Sequence, residues 1–140
     1  MADTVTKAEQ GDAYSQHSLG GMYDFGIGIV PQDYEEAIRW YRAAAEQGYA
    51  KAQDSLGTMY YYGLGVPQDY IQAHMWYNLA ASDLTGEYKE RNVKNRDEIA
   101  EKMTSEQIAE AQRLAVSGSP RVQKTSESAL ALPETFPLRY

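Results

Sequence analysis

The sequence predicts an all-α fold, a solenoid of helix-turn-helix units, and three observations support this. Residues 11–47 reappear as residues 48–83 with 20 identical pairs among 36 aligned positions, Ile29 being the one extra residue. Each copy has glycine and proline in its middle, between two segments with apolar residues at helical spacing. Beyond residue 83 the repeat fades, but helical patterns continue to about residue 117. Because such units bury their apolar faces only against neighbours, we expect a stack of units closed by a C-terminal helical cap.

The first helix of each unit is predicted to end at a glycine. These helices cover residues 12–24 and 49–61, and Gly26 and Gly63 follow them. Glycine at this position adopts the left-handed backbone conformation that commonly terminates a helix.

The second helix of each unit is predicted to begin after an aspartate, because a proline ahead of it prevents continuation from the first helix. These helices cover residues 34–47 and 70–82, and cap helices follow over residues 86–102 and from Thr104 to about residue 117. Three helix starts carry the pattern of a capping box, in which two side chains bond each other's backbone N–H groups: Asp33 with Glu36, Asp69 with Gln72, and Thr104 with Gln107.

The repeated residues form a recognisable signature. Leu-Gly-x-Met-Tyr begins at Leu19 and Leu56, and each copy continues with Gly-x-Gly, Val-Pro-Gln-Asp-Tyr and Ala-x-x-Trp-Tyr. This pattern resembles the Sel1-like repeat, a relative of the tetratricopeptide repeat, over about half of the chain. The resemblance implies a right-handed α-solenoid in which the first helix of each unit lines a concave surface that binds proteins or peptides.

We expect residues 1–117 to form one solenoid domain, with repeats at about 11–47 and 48–83 and a terminal cap at about 86–117. The segment Lys-Ala-Glu-Gln-Gly before residue 12 is similar to the end of the second helix of repeat one, so the chain is predicted to begin inside such a helix. Residues 118–140 form a tail that starts with serine, glycine and proline and then turns apolar. Two interpretations stay open: a disordered tail, or a segment that packs onto the solenoid or a neighbouring molecule.

The composition excludes several classes of partner. The formal charge of −7 argues against nucleic acid and anionic membrane surfaces, both of which attract clustered lysine and arginine. The sequence shows neither an apolar run long enough to span a membrane nor a signal peptide. It contains no cysteine, so a disulfide scaffold is excluded, and a cytoplasmic location is the default prediction.

Catalytic, metal and cofactor motifs are weak, and we predict that the chain is not an enzyme. His17 and His74 are the two histidines, and neither has a neighbourhood that would activate it; His74 replaces Ile38 of the first repeat and is expected to pack. Two histidines without cysteine do not make a zinc site. Some cysteine-rich Sel1-like relatives are described as β-lactamase-like, but here the nearest match to a Ser-x-x-Lys nucleophile motif is Thr4 to Lys7. That reading is a remote alternative.

One face of the first helices differs between the two units. A face that packs identically in both units should keep its residues, whereas a partner-binding face carries no such constraint. Five pairs of positions on the opposite side from the packing residues all differ, and they form the predicted partner-binding groove: Tyr14 with Lys51, His17 with Asp54, Gly21 with Thr58, Asp24 with Tyr61, and Phe25 with Tyr62.

Two functions follow as hypotheses. The first is a protein- or peptide-binding adaptor, in which aromatic anchors of the groove supply apolar contact and its charged residues set the orientation of the partner. The second is a structural module that self-assembles through the open end of the solenoid, with a homodimer as its simplest form. No cofactor or metal is expected in either case.

Overall fold

The computed structural model describes residues 2–28 and 30–117, and in that part of the chain it contains seven α-helices and no strand. Residues 118–140, which include the predicted tail, lie outside the described residues. The helices are α1 (Ala2–Glu9), α2 (Ala13–Phe25), α3 (Tyr34–Glu46), α4 (Ala50–Tyr62), α5 (Tyr70–Ala81), α6 (Gly86–Ala100) and α7 (Ser105–Ser117). The prediction of an all-α helical repeat solenoid is confirmed.

Two helix pairs, α2–α3 and α4–α5, form the repeated units, and each unit packs against the next through α3 and α4. A repeated hydrogen bond joins consecutive units. Gln53 Nε2 donates to the Ala45 carbonyl at 3.2 Å, and Gln16 Nε2 donates to the Ala8 carbonyl at 3.1 Å. Helix α1 therefore contacts α2 in the way that α3 contacts α4, as expected for the end of a preceding second helix.

The core is built from the residues that the two units share. Trp40 and Trp76 are fully buried at equivalent positions. Trp40 packs with Ala8, Leu19 and other residues at the α1 end, whereas Trp76 belongs to the larger cluster between α3, α4 and α5. Burial of such aromatic side chains supplies much of the free energy that holds the units together.

Within each unit the two helices approach closely because a glycine lies beneath a tyrosine ring. A Cβ atom at Gly20 would lie 2.6 Å from Cδ1 of Tyr41, and one at Gly57 would lie 2.9 Å from Cδ1 of Tyr77. Neither glycine can carry a side chain without displacing the ring. The glycines therefore fix where each tyrosine hydroxyl emerges.

The helix ends match the predicted ones to within two residues. Gly26 and Gly63 end α2 and α4 with φ of 65° and 70°, as predicted. Asp12 and Tyr49, which were predicted as helical, are instead N-caps with extended backbone, because the chain enters each helix there. Helix α6 ends at Ala100 rather than at residue 102.

The capping boxes form only in part. Thr104 and Gln107 bond each other's backbone N–H groups reciprocally, as predicted. Asp69 accepts from the Gln72 N–H, but the reverse bond predicted there is absent, since Gln72 Oε1 has no hydrogen-bond partner and the Asp69 N–H donates to the Tyr60 carbonyl. The Asp33 N–H likewise donates to the Tyr23 carbonyl at 2.8 Å. In each unit the N–H of the N-cap aspartate therefore bonds a carbonyl of the first helix and is not available for a capping box.

The cap begins as a third unit and then departs from it. Helix α6 packs against α5, as α4 packs against α3, and thus takes the place of a further first helix. Helix α7 packs principally against α5, whereas the second helix of a unit would pack on the first. Ile99 of α6 and Ala111 of α7 are fully buried, and together they close the apolar end of the core.

Candidate functional site

The three helices α2, α4 and α6 share one face, and its residues recur at intervals of 37. Four sets of three residues, which we call rungs, each take one residue from every helix. They are Tyr14, Lys51 and Tyr88; His17, Asp54 and Arg91; Gly21, Thr58 and Asn95; and Asp24, Tyr61 and Glu98. The twelve residues of the rungs, together with Phe25 and Tyr62, make fourteen residues that define the groove.

Two adjoining cavities make up the groove. The first, of about 410 Å³, lies toward the amino-terminal ends of the three helices, and the second, of about 330 Å³, lies toward their carboxyl-terminal ends. Both cavities are lined by the same five residues at their junction, so they form one continuous surface: Phe25, Tyr41, Asp54, Ser55 and Arg91. All ten residues of the predicted groove line one cavity or both.

Aromatic side chains of the groove are unusually exposed. Phe25 is 69% exposed, Tyr14 66%, Tyr62 64% and Tyr88 48%. In the described residues the other large apolar side chains with comparable exposure are Ile27 and Val116. Four of the six thus lie on one concave surface, and clustered exposed aromatic residues are typical of binding sites.

Asp54 lies at the centre of the groove and is held from below. Asn92, which is fully buried, donates from Nδ2 to Asp54 Oδ1 at 2.8 Å, while its own Oδ1 has no hydrogen-bond partner. Burial raises the pKa of the Asp54 carboxyl, and the hydrogen bond from Asn92 and the charge of Arg91 oppose this shift.

Two tyrosines of the second helices reach into the groove from below. Tyr41 donates to Asp24 Oδ2 at 2.9 Å, and the Tyr77 hydroxyl lies 2.5 Å from Oγ1 of Thr58. Burial raises the pKa of Tyr77 to about 12 and raises that of Tyr41 further, where the charge of Asp24 adds to the effect. Both hydroxyls are therefore protonated at neutral pH. Burial also raises the pKa of Asp24, against the hydrogen bond from Tyr41.

His17 contacts the neighbouring unit across the groove floor. Its Nε2 lies 3.3 Å from Ser55 Oγ, and its ring lies between the rings of Tyr41 and Tyr49 at 5.6 and 5.5 Å. Burial lowers the pKa of His17, and the charge of Lys51 lowers it further, so the imidazole is neutral at pH 7. His74 is buried in α5, away from the groove, as the packing interpretation predicts.

Two groups of groove residues were not among the predicted ones. Tyr41 and Tyr77 lie on the second helices, and both line the groove. Tyr88, Arg91, Asn95 and Glu98 of α6 complete the four rungs. A signal for the second group was present: each of these positions follows its counterpart in α4 by 37 residues, so continuing the period would have found it.

Neither a metal centre nor a membrane span is apparent in the part of the chain that the structure describes. Among those residues no group of three histidine, aspartate or glutamate side chains lies close enough to hold a metal ion. None of the helices described there is long and apolar enough to cross a membrane.

The comparison with protein families decides the identity of the repeats. The model described as Sel1 repeat matches residues 13–49 and 50–83, which is just over half of the chain. The chain belongs to the Sel1 repeat family. Proteins built from Sel1 repeats generally act as scaffolds for protein interactions and are typically non-catalytic.

Two solved structures are similar to the chain. One is a protective antigen present in uropathogenic Escherichia coli strains that displays an SLR fold, with 33% identity and a TM-score of 0.71 over 90% of this chain. The other is a Sel1 repeat protein from Oxalobacter formigenes, with 38% identity and a TM-score of 0.57 over 62% of this chain. The chain spans 26% of the first protein's length and 65% of the second's. The search of curated proteins finds no match.

Proposed function

We propose that this chain is a non-catalytic adaptor that captures a peptide segment of a protein partner in the groove. The observation that carries the proposal is the continuity of the two cavities across α2, α4 and α6, with four exposed aromatic residues on one concave surface. Sel1 repeat proteins generally act as scaffolds, and our proposal adds that this chain uses the groove to bind its partner.

The physical basis is the burial of apolar area around a rigid floor. Tyr62 lines the second cavity, Tyr14 and Tyr88 line the first, and Phe25 lines both, so an extended peptide can bury aromatic surface along the whole groove. The floor is formed by buried tyrosines whose rings are fixed against Gly20 and Gly57. A preorganised floor reduces the entropy lost on binding, which favours affinity.

A displayed library of random peptides, selected on the immobilised full chain, tests the proposal. We expect selected peptides to lose binding to Phe25→Ala and Tyr62→Ala, because these variants remove exposed apolar anchors without disturbing the core. Val116→Ala is the matched control, since Val116 is 86% exposed on α7 and lies outside the groove. Peptides that bind all three variants equally, or an absence of selected peptides, would contradict the proposal.

The hydrolase alternative needs a serine nucleophile with a base, and Ser55 lies beside His17, whose Nε2 is 3.3 Å from Ser55 Oγ. A serine nucleophile normally needs a base that is itself oriented by a third group. In the described residues no carboxylate bonds the second nitrogen of His17, and its ring instead contacts the tilted rings of Tyr41 and Tyr49. We expect no hydrolysis of a chromogenic β-lactam above that of Ser55→Ala. Turnover that depends on Ser55 would exclude a purely non-catalytic adaptor.

Self-assembly through the open end stays an alternative hypothesis. Helix α1 covers the first helix of repeat one, since Ala8 is 1% exposed and packs with Leu19 and Trp40, and this cover does not favour assembly at that end. Light scattering of the purified chain measures the oligomeric state directly. A dimer that Phe25→Ala and Tyr62→Ala dissociate would assign the groove to a second copy rather than to a peptide partner.

A further inference from the structure

We propose that the second cavity of the groove binds a cationic side chain, arginine or lysine, of the captured peptide. This proposal rests on the adaptor function and names the chemistry of the partner. We call this cavity the acidic cavity; its charged residues are Asp24, Asp54, Glu98 and Arg91.

The balance of charge favours a cation there. Three carboxylates line the acidic cavity against one guanidinium, and that guanidinium, of Arg91, lies 5.3 Å from the centre of the Tyr88 ring, toward the first cavity. The carboxyl-terminal ends of α2 and α4 also adjoin the cavity at Phe25 and Tyr62. Partial negative charge at helix carboxyl termini adds to the attraction for a cation.

The walls of the acidic cavity are aromatic, which suits the flat face of a guanidinium or the methylenes of lysine. Phe25, Tyr61 and Tyr62 line it together with Tyr41 and Tyr77 from below. At the rim of the cavity, Lys102 Nζ donates to the Tyr61 hydroxyl at 2.6 Å and lies 5.1 Å from the ring centre, so this cation contacts the hydroxyl edge of the ring. Carboxylates beside aromatic faces attract cations through both charge and the ring quadrupole.

Asn92 is an independent sign that the Asp54 carboxylate is positioned for a ligand. This side chain is fully buried, bonds Asp54 Oδ1 through Nδ2, and leaves its own Oδ1 without a partner. A buried acceptor without a hydrogen-bond partner is destabilising, which accords with a role of Asn92 in positioning the Asp54 carboxylate. It holds a partly desolvated carboxylate at the junction of the cavities, where a guanidinium could bond it.

The first cavity has the opposite character. Lys51 and Arg91 line it, both close to the ring of Tyr88, while His17 is neutral and Asp54 is the carboxylate at its edge. A cationic side chain is repelled there and attracted at the other end. The difference predicts that a bound peptide has one orientation, with its basic residue toward Asp24 and Glu98.

Two small probes test this inference on the full chain: N-acetyl-arginine N-methylamide and its uncharged citrulline counterpart, titrated in separate NMR experiments. We expect the arginine probe to shift the backbone signals of Thr58, Tyr61 and Asn95, and to bind at least about five-fold more tightly than the citrulline probe. Added salt should weaken the arginine probe more, because charge attraction in a solvated cavity is screened.

Glu98→Gln and Glu87→Gln form a matched pair of variants. Both remove one negative charge from exposed positions of α6, but only Glu98 lines the acidic cavity. We expect Glu98→Gln to weaken the arginine probe about five-fold and Glu87→Gln to leave it unchanged. Equal affinity for both probes, equal effects of both variants, or signal shifts confined to other surfaces would overturn the inference.

The failure of this inference is distinguishable from failure of the adaptor function. Selected peptides that need Phe25 and Tyr62 but contain no basic residue would leave the adaptor standing and remove the cation site. An arginine probe that binds the acidic cavity, while no displayed peptide depends on Phe25 or Tyr62, would support the site and contradict the adaptor.

Discussion

The two repeats have the same interior and different grooves. In both, a buried tryptophan, a tyrosine over a glycine and a glutamine bonded to the preceding helix recur at equivalent positions. The tyrosine hydroxyl nevertheless meets a carboxylate in repeat one, Asp24, and a hydroxyl in repeat two, Thr58. One scaffold thus presents two chemistries, which teaches that packing fixes the positions of the groove residues without fixing their identity.

The largest test of this comparison concerns the tryptophans. Trp40→Ala and Trp76→Ala should each lower the free energy of unfolding by about 3–5 kcal/mol, because both side chains are fully buried and their removal leaves cavities. Chemical denaturation measures both values. A loss below about 1 kcal/mol for either one would show that the two interiors are not equivalent.

Smaller effects are expected at two adjacent glycines, and they should have opposite signs from each other. Gly20→Ala should destabilise by about 1–2 kcal/mol, since its Cβ would press on the Tyr41 ring. Gly21→Ala is the control in the same helix: its Cβ would meet only the Tyr41 hydroxyl, at 3.8 Å, so better helix propensity should stabilise by up to about 1 kcal/mol. The same sign at both positions would contradict the division between packing face and groove.

Substitution of Gln16 and Gln53 tests whether the helix preceding each repeat packs on it in the same way. Gln16→Ala and Gln53→Ala should each destabilise by about 1 kcal/mol, because each removes a bond to a buried carbonyl. Gln16 should have the larger effect, since it also accepts from Gln47 at 2.7 Å, whereas Gln53 Oε1 has no partner. If Gln16→Ala has no effect in denaturation experiments, α1 does not cover repeat one as α3 covers repeat two.

The smallest expected effect is at Asp54, and it depends on pH. The folded-state pKa of Asp54 is raised above its usual value of 3.8, so the folded state loses stability as pH rises through that raised pKa. Asp54→Asn should therefore be more stable than the wild type at pH 7, and the difference should vanish below the unfolded pKa. Denaturation at pH 7 and pH 3 measures this; a variant less stable at pH 7 would show that the hydrogen bond from Asn92 and the attraction to Arg91 together outweigh burial.

The sequence was sufficient for the fold because the repeat itself carries the packing. Identical residues at 20 of 36 positions include the tryptophans, the helix-ending glycines and the N-cap aspartates, so helices and core followed directly. The errors were local. A backbone N–H can satisfy either a capping box or a carbonyl of the neighbouring helix, and at Asp69 only the structure shows that the carbonyl of Tyr60 is the partner.

The candidate site was harder to predict, because it depends on atoms of residues that pack elsewhere. Comparing the two units identified the ten positions on α2 and α4, since those positions differ between units. It could not identify Tyr41 and Tyr77, which are the same in both units yet present their hydroxyls to the groove. The comparison of the two units also did not include α6. Its groove residues follow those of α4 by 37 positions, but they are of different types.

Each rung runs across the helices, from α2 through α4 to α6, whereas the two cavities follow one another along the helices. An inserted 37-residue unit would therefore add one residue to each rung and widen both cavities, without changing the distance between the basic and the acidic end. If the groove binds a peptide as proposed, duplication of a unit alters how much of the partner is covered, while the positions along each helix decide which end of the partner lies where.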